Sequence, residues 1–284
     1  MGIFEITGGK SLTGKIKVQG SKNSSLPILA ATILNGKKNS IIDVPQIKDI
    51  EVMTRILKYL GAEVTIKSNT VEVDSMGVNT LEVPELLMRE MRSSIVLMGA
   101  ILGRFGKVRV SYPGGCEIGP RPIDLHLKGL ALMGVTLRER HGFIYAESKE
   151  LRGTEIHLDF PSVGATENLM LAGVLAKGST IIRNVAKEPE IIDLQNFLNK
   201  MGANIRGAGT DTIKIEGCKF DDLKPVEDYT IIPDRIVAGT YLVAAAITRG
   251  NIKLTNVINE HLEPVLAKLR EMGCRIVSKD SEIE

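Results

Sequence analysis

The stretch Val52-Met53-Thr54-Arg55-Ile56-Leu57-Lys58-Tyr59-Leu60-Gly61-Ala62 carries the pattern on which the fold is built. Its apolar residues follow the spacing of an amphipathic helix, and a glycine stands where that helix should end. Similar endings recur about every 70 residues along the chain, at Gly134, Gly202 and Gly273. Glycine is favoured just after a helix because it adopts a positive φ without steric cost. We therefore expect each of these four glycines to end a helix.

An apolar helical run precedes each amphipathic helix. The four runs are residues 29–34, 94–100, 168–173 and 241–246. Because each run is apolar on nearly every side, we expect it to be buried. Short β-branched runs at residues 40–44, 180–183 and 252–254 predict strands. A repeat of this length is typical of a small α/β unit, and one buried and one half-buried helix per unit predict helices inside and sheets outside.

Composition sets the class of protein. With 284 residues the chain is long enough for two ordinary domains. Its net charge is only +2, its basic residues are scattered, and it has no tryptophan, so a nucleic-acid-binding protein is not indicated. The cysteines Cys116, Cys218 and Cys274 are odd in number and far apart. That spacing argues against a disulfide framework and favours the reducing cytoplasm.

Metal sites and membrane segments are not indicated by the sequence either. No pair of cysteines or histidines has the spacing of metal ligands. No apolar run approaches the roughly 20 residues of a membrane span, and the first residues lack the profile of a signal peptide. The four histidines are isolated, and none predicts a hydrolase triad. We expect a cytoplasmic protein without a metal site.

The segment with the densest chemistry is Pro113-Gly114-Gly115-Cys116-Glu117-Ile118-Gly119-Pro120-Arg121-Pro122-Ile123-Asp124-Leu125-His126-Leu127. Its glycines let backbone N–H groups approach a ligand closely. Arg121 offers a planar set of donors to phosphate or carboxylate. That arginine and a helix N-terminus would both stabilise a thiolate at Cys116. The segment predicts a reactive cysteine beside an anion-binding group; the alternative is a surface loop with an incidental cysteine.

Three of the apolar helices begin with residues suited to anions. Lys22 and Asn23 stand at the first, Arg92 at the second, and Ser162-Val163-Gly164-Ala165-Thr166-Glu167-Asn168 at the third. Backbone N–H groups at a helix start favour an anion, but Asn23 and nearby serines could equally cap the helix. If the units are related by pseudo-threefold symmetry, the three starts would converge on a phosphorylated ligand. At the fourth helix, we expect Asp234 and Arg235 to provide a cap and a salt bridge.

The stretch Gly9-Lys10-Ser11-Leu12-Thr13-Gly14-Lys15-Ile16 resembles a phosphate-binding Walker A loop as far as its Gly-Lys pair. Ile16 stands where that motif has the Ser or Thr that binds magnesium. We therefore expect a β-hairpin turn here instead of a nucleotide site.

These motifs together resemble the UDP-N-acetylglucosamine enolpyruvyl transferases, across nearly the whole chain. The resemblance rests on Lys22-Asn23, Met91-Arg92-Ser93-Ser94, the Gly-Gly-Cys loop with its Arg-Pro-Ile-Asp-Leu, residues 162–168, Glu188-Pro189-Glu190 and Pro233-Asp234-Arg235. The Gly-Gly-Cys loop is highly specific to this family. The resemblance implies an α/β fold, an inside-out barrel of repeated βαβαββ units. It also implies transfer of the enolpyruvyl group of phosphoenolpyruvate to the 3-hydroxyl of UDP-N-acetylglucosamine, the first committed step of peptidoglycan synthesis.

The resemblance also implies roles for individual residues. Cys116 would protonate the methylene carbon of phosphoenolpyruvate and would be alkylated by fosfomycin. Lys22 would bind the phosphoenolpyruvate phosphate with Asn23 beside it, and Arg92 would hold a substrate anion. The uridine diphosphate would be bound by Arg121, Pro122, Ile123, Asp124, Leu125, Ser162, Val163 and Gly164.

Two departures from the family stand out. Phe160 occupies a place where the family often has a lysine, which puts one diphosphate contact in doubt. The family has six repeats in two domains, whereas this chain has four, so residues 23–232 would form a complete three-repeat domain. Residues 1–22 with 233–284 would form one repeat of a second domain. The family's catalytic aspartate would then lie outside this apparently truncated chain, which would turn over slowly or not at all and could self-associate.

Two other functions stay open at this level. The 3-phosphoshikimate enolpyruvyl transferases share the repeat fold, although the Gly-Gly-Cys loop argues against them. A non-catalytic form that only binds substrates or another protein is the third reading.

Overall fold

The computed structural model describes residues 3–114 and 122–284. The chain divides into two compact units, a larger unit, Lys22–Ile232, and a smaller unit made of Met1–Ser21 and Pro233–Glu284. Elements are numbered along the chain, so strand β1 (Thr13–Lys17) of the smaller unit comes first.

The larger unit contains three successive sets of elements. The first set is α1 (Lys22–Ala31), β2 (Lys38–Ile42), α2 (Lys48–Leu60), β3 (Glu63–Lys67) and β4 (Thr70–Asp74). The second is α3 (Glu85–Glu90), a 3₁₀ helix (Arg92–Val96), α4 (Leu97–Phe105), β5 (Lys107–Ser111), α5 (Asp124–Leu132), β6 (Thr136–Arg140) and β7 (Phe143–Glu147). The third is β8 (Glu155–His157), α6 (Val163–Val174), β9 (Ser179–Arg183), α7 (Pro189–Met201), β10 (Asn204–Arg206), β11 (Thr212–Glu216) and β12 (Tyr229–Thr230).

Helices α1, α4 and α6 form the centre of the larger unit. Residues 24–31 of α1, 97–102 of α4 and 165–174 of α6 are all buried. Helices α4 and α6 approach closely at Gly99, whose N–H donates to Asn168 Oδ1 at 2.6 Å. A Cβ on residue 99 would lie 2.2 Å from the Asn168 carbonyl oxygen, so only glycine allows this approach. The predicted burial of the first three apolar runs is confirmed.

Sheets cover the outside of these helices. Within the described part of the larger unit the strand orders are β12-β2-β4-β3, β5-β7-β6 and β10-β11-β9-β8. Along the strands buried residues alternate with more exposed ones: Val108 is buried in β5, for example, and Lys107 is exposed. This alternation belongs to a sheet with one packed face. The predicted α/β fold, with helices inside and sheets outside, is confirmed.

The smaller unit has one sheet and two helices in its described residues. Besides β1 it contains α8 (Arg235–Ile247), β13 (Asn251–Thr255), α9 (Glu263–Glu271), β14 (Ser278–Lys279) and β15 (Glu282–Ile283). The strand order is β1-β13-β15-β14, and β1 runs parallel to β13 from Thr13↔Asn251 to Lys17↔Thr255. The hairpin predicted for residues 9–16 is therefore wrong, because β1 pairs with a strand distant in sequence instead of a neighbour.

The recurring glycines end helices in both units. Gly61 and Gly202 are the C-caps of α2 and α7, with φ of 105° and 113°. Gly134 and Gly273 follow the last turns of α5 and α9, with φ of 90° and 91°. The prediction made from the repeat is confirmed at all four positions.

Helix α8 departs from the repeat pattern. Its buried residues are Ala238, Leu242 and Ala245, whereas Ile236 is 52% and Ile247 is 81% exposed. Within its unit α8 packs mainly on β13 and α9, so only one side of the helix is covered. The predicted burial is wrong for this fourth apolar run. In residues 3–114 and 122–284, neither α8 nor any other helix is long and apolar enough to cross a membrane.

Candidate functional site

Three helix starts of the larger unit line one cavity of about 540 Å³. Asn23 of α1 lines it, as does Arg92 at the start of the 3₁₀ helix that leads into α4. The start of α6 contributes Ser162, Val163 and Gly164. The structure thus brings together Asn23, Arg92 and residues 162–164 from three separate helix starts, in an enclosure that combines backbone N–H groups, an arginine and small polar side chains.

Lys22 is the first residue of α1, next to Asn23. Its Nζ lies 3.2 Å from Asp49 Oδ2, and both side chains are partly exposed. A partly solvated ion pair of this kind contributes little to stability. This ion pair holds the amine of Lys22 near the start of α1.

His126 of α5 and Asn168 of α6 form a buried hydrogen-bonded pair beside the cavity. Gly99 N–H can only donate, so the Asn168 atom that faces it is the acceptor Oδ1. Asn168 Nδ2 therefore donates to Ile95 O at 2.9 Å and to His126 Nδ1 at 2.7 Å. Burial and the positive charge of Arg92 lower the pKa of His126 to about 4, against an opposing effect of Asp124. His126 is thus neutral near pH 7, and Arg92 supplies the positive charge of this wall.

The second half of the cysteine segment reaches the same cavity. Pro122, Ile123 and Leu125 line it, and Asp124 is the first residue of α5. Cys116 and Arg121, for which a reactive thiol and an anion contact are predicted, lie outside the described residues. Their roles therefore stay predictions.

The start of α6 is capped by the side chain of Ser162. Ser162 Oγ accepts from Ala165 N–H at 3.4 Å, so this serine is the N-cap of α6. N–H groups in the first turn of a helix have no acceptor within it, and Val163 and Gly164 bring this turn to the cavity wall. A Cβ on Gly164 would lie 3.1 Å from His126 Cε1, so a larger residue here would press on the His126 ring. Phe160 also lines the cavity, to which it presents an aromatic ring.

Sequence reasoning did not single out Glu167 as a site residue. This carboxyl lines the cavity from α6 and is only 8% exposed. Burial, followed by the charges of Glu190 and Glu188, raises the pKa of Glu167 to about 8. A strongly shifted carboxyl in a cavity is a frequent mark of a functional site. The sequence does not indicate that a single glutamate in a helix faces inward. The orientation of Glu167 is therefore seen only in the packing of α6.

Comparison with known proteins supports a family assignment. Residues 6–284 match the family model described as EPSP synthase (3-phosphoshikimate 1-carboxyvinyltransferase). The chain is 56% identical to UDP-N-acetylglucosamine 1-carboxyvinyltransferase 2 of Caldanaerobacter subterraneus subsp. tengcongensis, over 100% of this chain and 67% of the relative. It is 54% identical to UDP-N-acetylglucosamine 1-carboxyvinyltransferase 1 of Symbiobacterium thermophilum, over 96% of this chain and 63% of the relative. The chain thus spans about two thirds of the length of these relatives.

Solved structures show the same fold. The enolpyruvyl transferase NikO from Streptomyces tendae superposes with a TM-score of 0.87 at 25% identity, over 97% of this chain and 66% of that one. EPSP synthase from Acinetobacter baumannii superposes with a TM-score of 0.73 at 20% identity, over 97% of this chain and 65% of that one. The family match over nearly all residues, the two relatives above 50% identity and the shared fold agree with one another. The chain belongs to the EPSP synthase family and, within it, to the UDP-N-acetylglucosamine 1-carboxyvinyltransferases.

Proposed function

We propose that this chain binds UDP-N-acetylglucosamine and phosphoenolpyruvate and serves the transfer of the enolpyruvyl group to the 3-hydroxyl of the sugar, with release of phosphate. The observation that carries the proposal is the cavity in which Asn23, Arg92 and the start of α6 meet. Helix starts and an arginine together suit a diphosphate or a phosphate ester. The names of the relatives select the sugar nucleotide among such ligands.

The chemistry assigns complementary roles to the site residues. Cys116 would give a proton to the methylene carbon of phosphoenolpyruvate, while a base removes the proton of the sugar hydroxyl and the sugar oxygen bonds to the neighbouring carbon. Loss of a proton from the methyl group of this adduct and departure of phosphate would then give the enolpyruvyl product. Lys22, Arg92 and Arg121 would hold the substrate anions and stabilise charge that develops during transfer. The uridine diphosphate would lie along the start of α6 and residues 121–125. These steps need acids, bases and cations, and call for no metal or organic cofactor.

The biological setting is part of the same proposal. The transfer would be the first committed step of peptidoglycan synthesis, carried out in the cytoplasm. Residues 23–232 would act as a complete three-repeat domain, and residues 1–22 with 233–284 as one repeat of a second domain. Self-association through that second domain would appear as a concentration-dependent mass in analytical ultracentrifugation, and a constant monomer mass would exclude it.

Sugar-nucleotide binding tests the proposal most directly, because the chain spans about two thirds of the length of its relatives. Calorimetry with UDP-N-acetylglucosamine should show binding that falls about tenfold or more in Arg92→Ala, the loss expected for a hydrogen bond to a charged group. Arg89→Ala is a matched control, since the side chain of Arg89 is exposed and pairs at the surface with Glu85, at 2.6 Å. Equal affinity of the two variants would remove Arg92 from the site.

The same assay separates the two transferase readings. UDP-N-acetylglucosamine should bind and 3-phosphoshikimate should not, although the family model carries the name of the shikimate enzyme. Binding of 3-phosphoshikimate alone would replace the proposed substrate. Phosphate release, measured beside binding, distinguishes an active enzyme from a form that only binds.

Thiol labelling tests the role of the cysteine. Fosfomycin or iodoacetamide should modify Cys116 first, and UDP-N-acetylglucosamine should change the rate. Cys218 is an internal control, because it is half-buried, its Sγ–H donates to Val174 O, and burial and Asp222 raise its pKa. Equal labelling of the two thiols in the folded protein would contradict the assignment.

A further inference from the structure

Glu167 is the buried acid of the proposed substrate cavity. It lies one turn after Gly164 on α6, and both residues line the cavity, as expected for positions three apart on one helix face. Its side chain is more than nine-tenths buried. The carboxyl is therefore turned towards an enclosed space and away from bulk solvent.

The neighbours of Glu167 on α6 use their hydrogen bonds inside the protein. Thr166 Oγ1 donates to Ser162 O at 2.7 Å and accepts from Ala186 N–H at 3.2 Å. Asn168 is bonded to Gly99, Ile95 and His126. In contrast, no residue that the structure describes forms a hydrogen bond or an ion pair with the Glu167 carboxyl. The carboxyl lines the cavity, so a ligand bound there can supply a hydrogen-bond partner that the described residues do not.

The charges around Glu167 favour its neutral form. Glu188 and Glu190, from the start of α7, repel a negative charge there and, together with burial, raise the pKa of Glu167 to about 8. On α5, His126 is neutral and interacts with Asp124 and Arg92. Arg104 of α4 is bonded to the carbonyl groups of Ile33 and Ser75. On the sheet side, Arg183 of β9 and Lys214 of β11 pair at the surface with Glu155 and Glu216.

We propose that Glu167 contacts the substrate, and that in its protonated form it donates a hydrogen bond to an oxygen of the bound sugar nucleotide. The inference rests on the proposed function. A protonated carboxyl both donates and accepts a hydrogen bond, whereas a carboxylate only accepts. A carboxylate at this position would also repel a diphosphate. The protonation state of Glu167 should therefore change the affinity of the cavity for an anionic ligand.

Calorimetric titration with UDP-N-acetylglucosamine between pH 6.5 and 9 tests this inference in three proteins. In the parent chain the affinity should fall by about tenfold between these limits, because the competent protonated fraction of a group with a pKa near 8 falls by that factor. Glu167→Gln keeps a permanent N–H donor of the same size and should bind with constant affinity over the range. Glu167→Leu keeps the volume without a donor and should bind weakly at every pH. Any titration of Cys116 is common to the three proteins and cancels in their comparison.

Each outcome is decisive. A parent affinity that does not change with pH, a Gln variant that keeps the parent's pH dependence, or a Leu variant that binds as tightly as the Gln variant would overturn the inference. A folded parent chain that fails to bind UDP-N-acetylglucosamine at any pH would overturn the proposed function instead, and with it this inference. Carbon-13 NMR of the Glu167 carboxyl gives an independent readout, because its midpoint should lie near 8 in the free protein and rise when the nucleotide is bound.

Discussion

Helices α6 and α8 have nearly the same kind of sequence and very different surroundings. Both are apolar on almost every side, α6 with residues such as Leu169 and Leu171, and α8 with residues such as Val243 and Ile247. In α6 residues 165–174 are all buried, because α4, α5, α7 and the sheet strands β9 and β11 pack around it. In α8, which packs within its unit mainly on β13 and α9, Val243 and Ile247 are exposed.

The difference shows what a hydrophobic pattern does and does not determine. An apolar run predicts that a helix has the capacity to be buried on every side. Whether that capacity is used depends on how many elements pack around the helix. The free energy of unfolding should therefore be concentrated in residues of α6 and nearly absent from residues at matching positions on the exposed side of α8.

The largest expected effect comes from shortening a side chain in each helix. Leu169 is fully buried, and a Cβ added at Gly129 would lie only 2.6 Å from Leu169 Cδ2, which shows how tightly the region is packed. Leu169→Ala should lower the free energy of unfolding by about 2–5 kcal/mol, from lost burial and the cavity left behind. Ile247→Ala, on the exposed side of α8, should change it by less than about 0.5 kcal/mol.

Urea denaturation followed by circular dichroism measures both changes, and equal slopes with denaturant confirm that the same cooperative unit unfolds. A loss of more than about 2 kcal/mol in Ile247→Ala would mean that this side of α8 is covered in solution. The comparison between the helices would then no longer hold.

The second test uses a glycine in each unit. Gly99→Ala would push a methyl group into the Asn168 backbone at the contact between α4 and α6, and overpacking of this kind costs about 1–3 kcal/mol. Gly239 of α8 is different, because an added Cβ meets only Leu262 and Val265 side-chain atoms at 3.9 Å. Gly239→Ala should therefore stabilise the smaller unit by up to about 1 kcal/mol through helix propensity.

Thermal unfolding of the two glycine variants shows directly whether each substitution stabilises or destabilises the protein. If Gly99→Ala unfolded at or above the unfolding temperature of the parent chain, the predicted overpacking between α4 and α6 would be contradicted. A lower unfolding temperature for Gly239→Ala would show, in turn, that α8 has a close neighbour at that position.

Local sequence patterns were sufficient to predict several features of this structure. The helix ends at Gly61 and Gly202 follow from a single residue's ability to take a positive φ. The burial of α6 and the meeting of the three helix starts follow from an apolar period repeated along the chain. The fourth repeat shows the limit, because nothing in residues 241–246 indicates how many elements surround α8.

Features that depend on distant residues could not be predicted. The pairing of β1 with β13 joins Thr13 to Asn251, and the sequence near Thr13 carries no record of that partner. The raised pKa of Glu167 arises from burial and from acids on another helix, Glu188 and Glu190. Both follow from tertiary packing, which a motif of a few residues does not specify.

The smallest expected effect concerns the caps of the two helices. Asp234 Oδ1 accepts from the N–H groups of Ile236 and Val237 at 2.9 and 3.0 Å, whereas Ser162 Oγ accepts from one N–H at 3.4 Å. Asp234→Ala should therefore cost about 1–2 kcal/mol and Ser162→Ala only about 0.5 kcal/mol. The carboxylate also interacts favourably with the N-terminal end of the helix dipole, which a serine does not.

Amide hydrogen exchange measures the effect of each cap locally, as the protection of the amides in the first turn of its helix. Protection of the Ile236 and Val237 amides should drop in Asp234→Ala and be largely kept in Asp234→Asn, which retains an acceptor oxygen. Protection of the Ala165 amide should change little in Ser162→Ala, because the surrounding elements hold α6 in place. If Ser162→Ala exposed its helix start more than Asp234→Ala does, packing would not be what stabilises α6. The less covered helix depends more on its cap, and this is the same contrast that separates Leu169 from Ile247.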